Sequence, residues 1–278
     1  MSKEIIGSRV TLDDWLLSAP GQHLLAWERE SFDLAVSDVF GYHALQLGLP
    51  AVDTLQTNRM PHQWLAMPDA ASAAACGEGA IACDFTALPF PESSLDLVVL
   101  PHTLDLSADP HATLREVERV LVPEGRVVVC GFNPASLWGL RQRRAELYRR
   151  FGAGQGFLPE DTGHIGYWRL RDWLRLLSFE VESAQFGCWR PAVRSQRWLD
   201  RTAWMDSLGS RWWPILGAAY FLVAVKRVRG MRMVTAQWKG AKGARSRAPA
   251  PVAVGHPTRH HKAPASRDRR HPHGGDAA

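Results

Sequence analysis

Two glycine stretches could hold a phosphate or a nucleotide. "HALQLGLPA" (43–51) carries an apolar run into Gly48, and "FGAGQGF" (151–157) offers Gly152, Gly154 and Gly156. A cradle of this kind needs its glycine at the C-terminal end of a strand and ahead of a helix, where backbone and ligand approach closely. "FGAGQG" instead follows the basic stretch "RQRRAELYRR" and precedes a loop, so it is expected to be a permissive loop. Gly48 has the required position and is the candidate binding turn. Among titratable groups, His102 follows the apolar run 95–100 and is the candidate general base. Asp105 reads as a first-turn acid that complements a helix dipole. His164, in "DTGHIGYW", is a second candidate, in the long stretch after the apolar run 126–132. Asp84 closes the run "AIACD" either as a ligand or as a turn cap before Pro89. No metal site is expected: Cys76, Cys83, Cys130 and Cys188 lie far apart with no CxxC pair. His256, His260, His261, His271 and His273 are spaced too irregularly to define one.

These residues need elements to hold them. Short apolar runs over 44–48, 63–67, 80–84, 95–100, 126–132, 179–186 and 218–228 predict seven strands. Helical periodicity predicts helices over 21–40, 111–121 and 168–177 and a basic helix over 141–150, with Gly125 as a left-handed stop after the second. Strands alternating with helices of this size predict an α/β fold, with a mostly parallel sheet covered by helices on both faces. A long Trp-rich segment separates the last two strands. Most of the 12 tryptophans are expected in the core or packed on helix faces.

Residues 84–134 add a family resemblance. The aspartate before "LPFP", the strand "S-x-D-L-V-V", the start "H-x-L-D" of the next helix, "LREVERVLVPEGRVVV" and "GFNP" follow one another in this order. Together they resemble the class I S-adenosylmethionine-dependent methyltransferases of the type 11 group, strongly over about 50 residues and more weakly over 40–228. The resemblance implies a Rossmann-like seven-stranded sheet with S-adenosylmethionine bound over the carboxyl ends of the first strands. It assigns Gly48 to the reduced glycine-rich loop, with Gln46 where an acid is common. Asp84 falls on the acceptor for the adenine amino group, and Phe85 flanks the ring. Pro101, His102 and Leu104 fall beneath the sulfonium. Asn133 and Pro134 lie at the acceptor mouth, and Trp138 follows them. The chain departs from the pattern in its single loop glycine, in a first crossover with barely room for a helix, and in the missing ribose acid at the end of the second strand. Only Asp69, one residue late, could replace that acid.

Composition bounds the rest. Hydrophobic residues make up 46% of the 278, ample for a core. The formal charge of +5 is uneven: residues 229–278 hold 11 Lys/Arg against 2 Asp/Glu, so the body is mildly acidic. This predicts a methyltransferase-like domain over 1–228, with an N-terminal helical extension over 1–42, and a basic, disordered tail over 229–278. The N-terminus lacks a hydrophobic export segment and the longest apolar run, 214–225, is too short to span a bilayer, so a cytoplasmic protein is expected. Two functions stand open at this point: methyl transfer to a small-molecule acceptor, or a binding or regulatory protein that has lost its donor site. The basic tail adds a possible contact with nucleic acid or an anionic surface.

Overall fold

The computed structural model describes residues 11–77, 79–149, 156–159 and 162–227. The expected tail with its five histidines, Gly152 and Gly154, and the first ten residues lie outside them. Seven strands form the sheet: β1 (His43–Leu47), β2 (His62–Met67), β3 (Ala80–Ala82), β4 (Leu95–Pro101), β5 (Leu121–Phe132), β6 (Phe179–Gly187) and β7 (Ala219–Lys226). Their order is β3-β2-β1-β4-β5-β7-β6, with β1 to β5 parallel and β7 antiparallel to both its neighbours. The sheet lies where the apolar runs predict it, within a residue or two at most ends.

Alternate side chains divide the sheet into two cores. Ala44, Leu97, Val99, Val128 and Phe221 face one layer, and Leu45, Leu47, Val98, Val127 and Leu222 face the other. The second layer is closed by α5 (Pro110–Val120) and α7 (Tyr167–Leu176), through Leu114, Val117, Leu170 and Leu174. Helix α5 starts cleanly because Asp109 accepts from the Ala112 amide at 2.9 Å and Pro110 occupies the first turn, where no amide is needed. It ends at Val120, and the chain turns at Glu124, whose φ is 65°, so Gly125 is not the left-handed residue. Gly125 matters for space instead, since a Cβ there would meet the Val122 carbonyl at 2.9 Å.

The first layer is closed by the N-terminal segment. Helices α1 (Leu12–Leu16) and α2 (Ala19–Ser37) are capped by Thr11 and Ser18, and α2 buries Leu24, Leu25, Phe32 and Val36. Each such apolar side chain contributes about 1.5–3 kcal/mol of transfer free energy. This burial explains an omission elsewhere. Residues 48–61, which connect β1 to β2, contain turns and no helix. Their Val52, Leu55 and Met60 bury beside α2, so the extension covers the face that a crossover helix would cover.

The remaining helices are α3 (Ala70–Cys76), α4 (Thr103–Leu106), α6 (Leu137–Arg149), α8 (Gln196–Arg201) and α9 (Trp204–Trp212), followed by a 3-10 turn over Pro214–Leu216. Most of the described tryptophans pack as expected, Trp15 and Trp138 buried and Trp27, Trp64, Trp173 and Trp189 half-buried, but Trp168, Trp198, Trp204, Trp212 and Trp213 are more than half exposed. No helix among the described residues is long and apolar enough to cross a membrane.

Candidate functional site

A cleft of about 630 Å³ opens over the carboxyl ends of β1 to β4. That size lies within the range of small-molecule and cofactor sites. Gly48, Leu49, Met67, Asp84, Phe85 and Pro101 line it, and Leu12 and Asp13 of α1 border it. Four residues expected from the sequence therefore come together: Gly48, Asp84, Phe85 and Pro101. Gly156 of the second glycine stretch is not among its lining.

The loop after β1 is held open from behind. Gly48 has φ 74° and Leu49 φ 44°, two successive left-handed residues of which only the glycine adopts that conformation cheaply. Gln46 holds them. Its Nε2 donates to the carbonyls of Gly48, Leu49 and Val52 at 3.0, 3.0 and 2.8 Å, and its Oε1 accepts from the Thr54 amide and hydroxyl at 3.1 and 2.7 Å. The expected ligand role of Gln46 is thus corrected: its amide is spent on the loop and it does not line the cleft. A carboxylate here could accept from Thr54 but could not donate to three carbonyls, which accounts for the amide where an acid is common.

Asp84 is exposed on the opposite wall. Its Oδ1 accepts from the Thr86 amide and hydroxyl, both at 2.8 Å, and the backbone bond above all holds this carboxyl below the usual range. Oδ2 has no partner among the described residues and remains able to accept from a ligand. Asp69 does not replace the ribose acid: it caps α3, with its two oxygens bonded to the Ser72 amide and hydroxyl at 2.9 and 2.7 Å.

His102 is corrected more sharply. It is fully buried, has φ 53°, and lies between Glu28 Oε1, 2.7 Å from Nε2, and Asp105 Oδ2, 3.1 Å from Nδ1. Burial pulls its basicity down, but the Glu28 charge and the hydrogen bonds to Asp105 and Glu28 outweigh it and push the pKa up to about 10. An enclosed imidazolium with both nitrogens engaged cannot take a proton from an acceptor at neutral pH. Asp105 is likewise more than a dipole partner, since its Oδ2 also accepts from the Phe132 amide at 2.9 Å. Sequence reasoning missed Glu28, 74 residues away. The available signal was its place in the buried stripe of α2, four residues after Leu24 and four before Phe32.

Leu104, expected at the cofactor beneath the sulfonium, is core instead. The expected acceptor residues lie elsewhere in the fold. Asn133 shapes its own turn, donating to the Ile215 and Gly217 carbonyls at 2.7 and 2.9 Å and accepting from the Ala135 amide at 3.1 Å. Trp138 is fully buried, its Nε1 bonded to the Arg190 carbonyl at 2.8 Å, so it plugs rather than lines. Pro134 is half-buried and outside the cleft. His164 is half-buried near Phe132, and burial holds its imidazole below the ordinary histidine range. Its Nε2 is buried without a partner among the described residues.

Residues 63–129 match the family model described as a methyltransferase domain. Among curated proteins, the chain is 34% identical over 145 residues to the uncharacterized protein YafS of Escherichia coli (strain K12), covering 51% of this chain and 55% of that protein. It is 36% identical over 105 residues to a malonyl-[acyl-carrier protein] O-methyltransferase of Halorhodospira halophila, covering 38% and 31%. The chain thus spans about half the length of the first relative and a third of the second. Among solved structures it is similar to one of a complex between the Haloferax volcanii Trm112 methyltransferase activator and a putative methyltransferase. There the TM-score is 0.54 at 16% identity, covering 79% of this chain and 99% of the matched chain. A possible histamine N-methyltransferase of Thermotoga maritima gives 0.50 at 15% identity, covering 73% and 92%. These two likenesses concern the fold: a Rossmann-like, mostly parallel sheet.

Proposed function

The chain carries a class I methyltransferase domain of the type 11 group, and from that premise we propose that it catalyses methyl transfer to a small or medium-sized acceptor. The methyl donor of this group is S-adenosylmethionine. The observation that carries the reading is the cleft itself, with a left-handed Gly48 on one wall and, on the other, an Asp84 oxygen unpartnered among the described residues. Its residues fit the adenine end of that donor: Asp84 Oδ2 would accept from the amino group, while Phe85 and Met67 offer apolar surface to the ring. Pro101 and Thr103 also line it, and Leu12 of α1 adds an apolar border.

Bound there, the donor supplies a methyl carbon made electrophilic by the adjacent sulfonium charge, so the protein's work is alignment and exclusion of water. Where an acceptor must lose a proton, His102 cannot serve as the base, because its imidazole is buried and held charged. Four free cysteines among the described residues support a reducing, cytoplasmic setting.

A second reading, a binding or regulatory protein without donor, is favoured by one observation. Asp69 is spent on a helix cap, leaving the ribose without its usual acid. Calorimetric titration with S-adenosylmethionine and S-adenosylhomocysteine separates the two. Under our reading both bind, ligand at 100 times its dissociation constant raises stability by about 2.7 kcal/mol, and Asp84→Ala weakens binding about 10- to 100-fold. Absence of binding at millimolar ligand overturns it in favour of the second, and unchanged affinity in Asp84→Ala removes that residue from the site.

A further inference from the structure

The Trp-rich segment between β6 and β7 has an outer face that the cleft does not use. Trp204, Leu208 and Trp212 recur every four residues along α9, at 58, 40 and 67% exposure, and so form one stripe. The chain then continues through Trp213, Ile215 and Leu216, which are also exposed. The stripe cannot roll inward, because the other face of α9 is fixed. Gly209 sits so close to the Trp189 ring that a Cβ would lie 2.2 Å from it. Asp206 accepts from the Trp189 amide at 2.9 Å and from Arg190 Nε at 2.7 Å. Trp189 Nε1 in turn donates to the Trp213 carbonyl at 3.0 Å.

Charge selects the occupant. Asp206, the only acid of α9, is the residue turned inward, while Arg211 stands exposed beside the stripe and the preceding helix exposes Arg197 and Arg201 against one acid, Asp200, which Gln196 engages. None of the three arginines is in an ion pair among the described residues. Tryptophan is the side chain best suited to a membrane–water interface, with an apolar ring and one polar N–H. An aromatic and aliphatic stripe edged by arginine matches a surface whose interior is apolar and whose headgroups are negative. We propose that α9 and the turn Pro214–Leu216 form a bilayer-contact face that inserts shallowly into anionic lipid. Stable attachment takes an apolar and a basic signal together, and the sequence holds a second basic reserve in residues 229–278. The proposal concerns attachment and stands whether or not the cleft binds donor.

The test uses the full chain with vesicles of phosphatidylcholine alone and of phosphatidylcholine mixed with phosphatidylglycerol. The mixed vesicles are expected to bind at least about tenfold more tightly, less so at high salt, with a blue shift of tryptophan emission. Brominated lipid in the same vesicles is expected to quench the wild-type emission, a readout that needs no variant. Combined Trp204→Ser, Trp212→Ser and Trp213→Ser is expected to lower affinity about tenfold or more while the thermal unfolding midpoint stays within a few degrees. Binding that survives this variant but disappears when 229–278 are removed overturns the proposal, since the tail alone would then be responsible. A wild-type dimer that the variant converts to monomer, without vesicle binding by either, also overturns it and makes the face a contact between copies.

Discussion

Glu28→Ala lowers the stability of the fold by roughly 3–5 kcal/mol, more than truncating most exposed residues would, because it leaves a buried imidazolium without its nearer counter-charge. The loss reaches further than one ion pair, since Glu28 Oε1 also accepts from the Cys130 thiol at 3.3 Å and so connects α2 to both β4 and β5. Glu28→Gln keeps a partner for Nε2 and is expected to cost less. The pH dependence follows from the same network. His102 titrates near 6.5 in the unfolded chain and at about 10 in the fold, so the folded state holds the extra proton between these values. The stabilisation is therefore complete below pH 6.5 and falls as pH rises toward 10, by at most about 1.4 kcal/mol per unit. Buried Cys130, Cys188 and Tyr220, all held above their ordinary values, act in the same direction only from about 9 upward. Urea unfolding between pH 6.5 and 9 therefore isolates the histidine. A flat profile in the wild type, or the same slope in Glu28→Gln, removes the ion pair from this account.

Gln46→Leu is expected to be nearly as damaging and to act on the cleft as well. Leucine keeps the volume but strips partners from three carbonyls and from the Thr54 amide and hydroxyl, all at or near the floor of the loop. A buried polar group left unpaired costs about 1–3 kcal/mol, so even with partial relaxation to water the loss should reach about 3 kcal/mol. Leu49 would then lose what holds it at positive φ, an unfavourable conformation for a side chain by about 1–2 kcal/mol. The loop should relax away from the cleft, and affinity for S-adenosylhomocysteine should fall more than tenfold in the fraction that remains folded. Thr54→Val removes one hydroxyl and tests the same device gently, with a loss of about 1 kcal/mol. Wild-type affinity in Gln46→Leu, at unchanged stability, would show that the loop holds itself.

The seven strands were legible because a parallel sheet buried on both faces is written as continuous apolar runs, and "LDLVVLP" or "AAYFLVAV" fits little else. Gly48 and Asp84 were legible because their place at strand ends is a local property of the chain. His102 was misread for the complementary reason. Its position after β4 is local, but whether it faces ligand or core depends on Glu28, which arrives from α2 by a tertiary contact that no spacing records. Gln46 shows the same limit at shorter range: the amide was visible, but not the turn that folds back to use it. Asp69 looked available for a ribose until Ser72, three residues on, took both its oxygens. The tryptophans were legible as a majority and not one by one: Trp15 and Trp138 are buried, but no spacing marked Trp204 and Trp212 as the exposed ones.

Helix α2, which stands in for the missing crossover helix, also sets the order in which the chain can be completed. The Phe32 ring packs on Phe221 at 4.9 Å, so a helix made among the first residues waits for the last strand of the sheet. The ribosome must add nearly two hundred residues between the two, which takes roughly 10–40 s at ordinary rates of synthesis. Glu28 can pair with His102 and Cys130 once β4 and β5 are made, but the part of α2 around Phe32 stays uncovered until β7 follows. A nascent chain of this protein therefore displays part of its apolar α2 face late, and any holding factor that shields emerging chains has a natural target there.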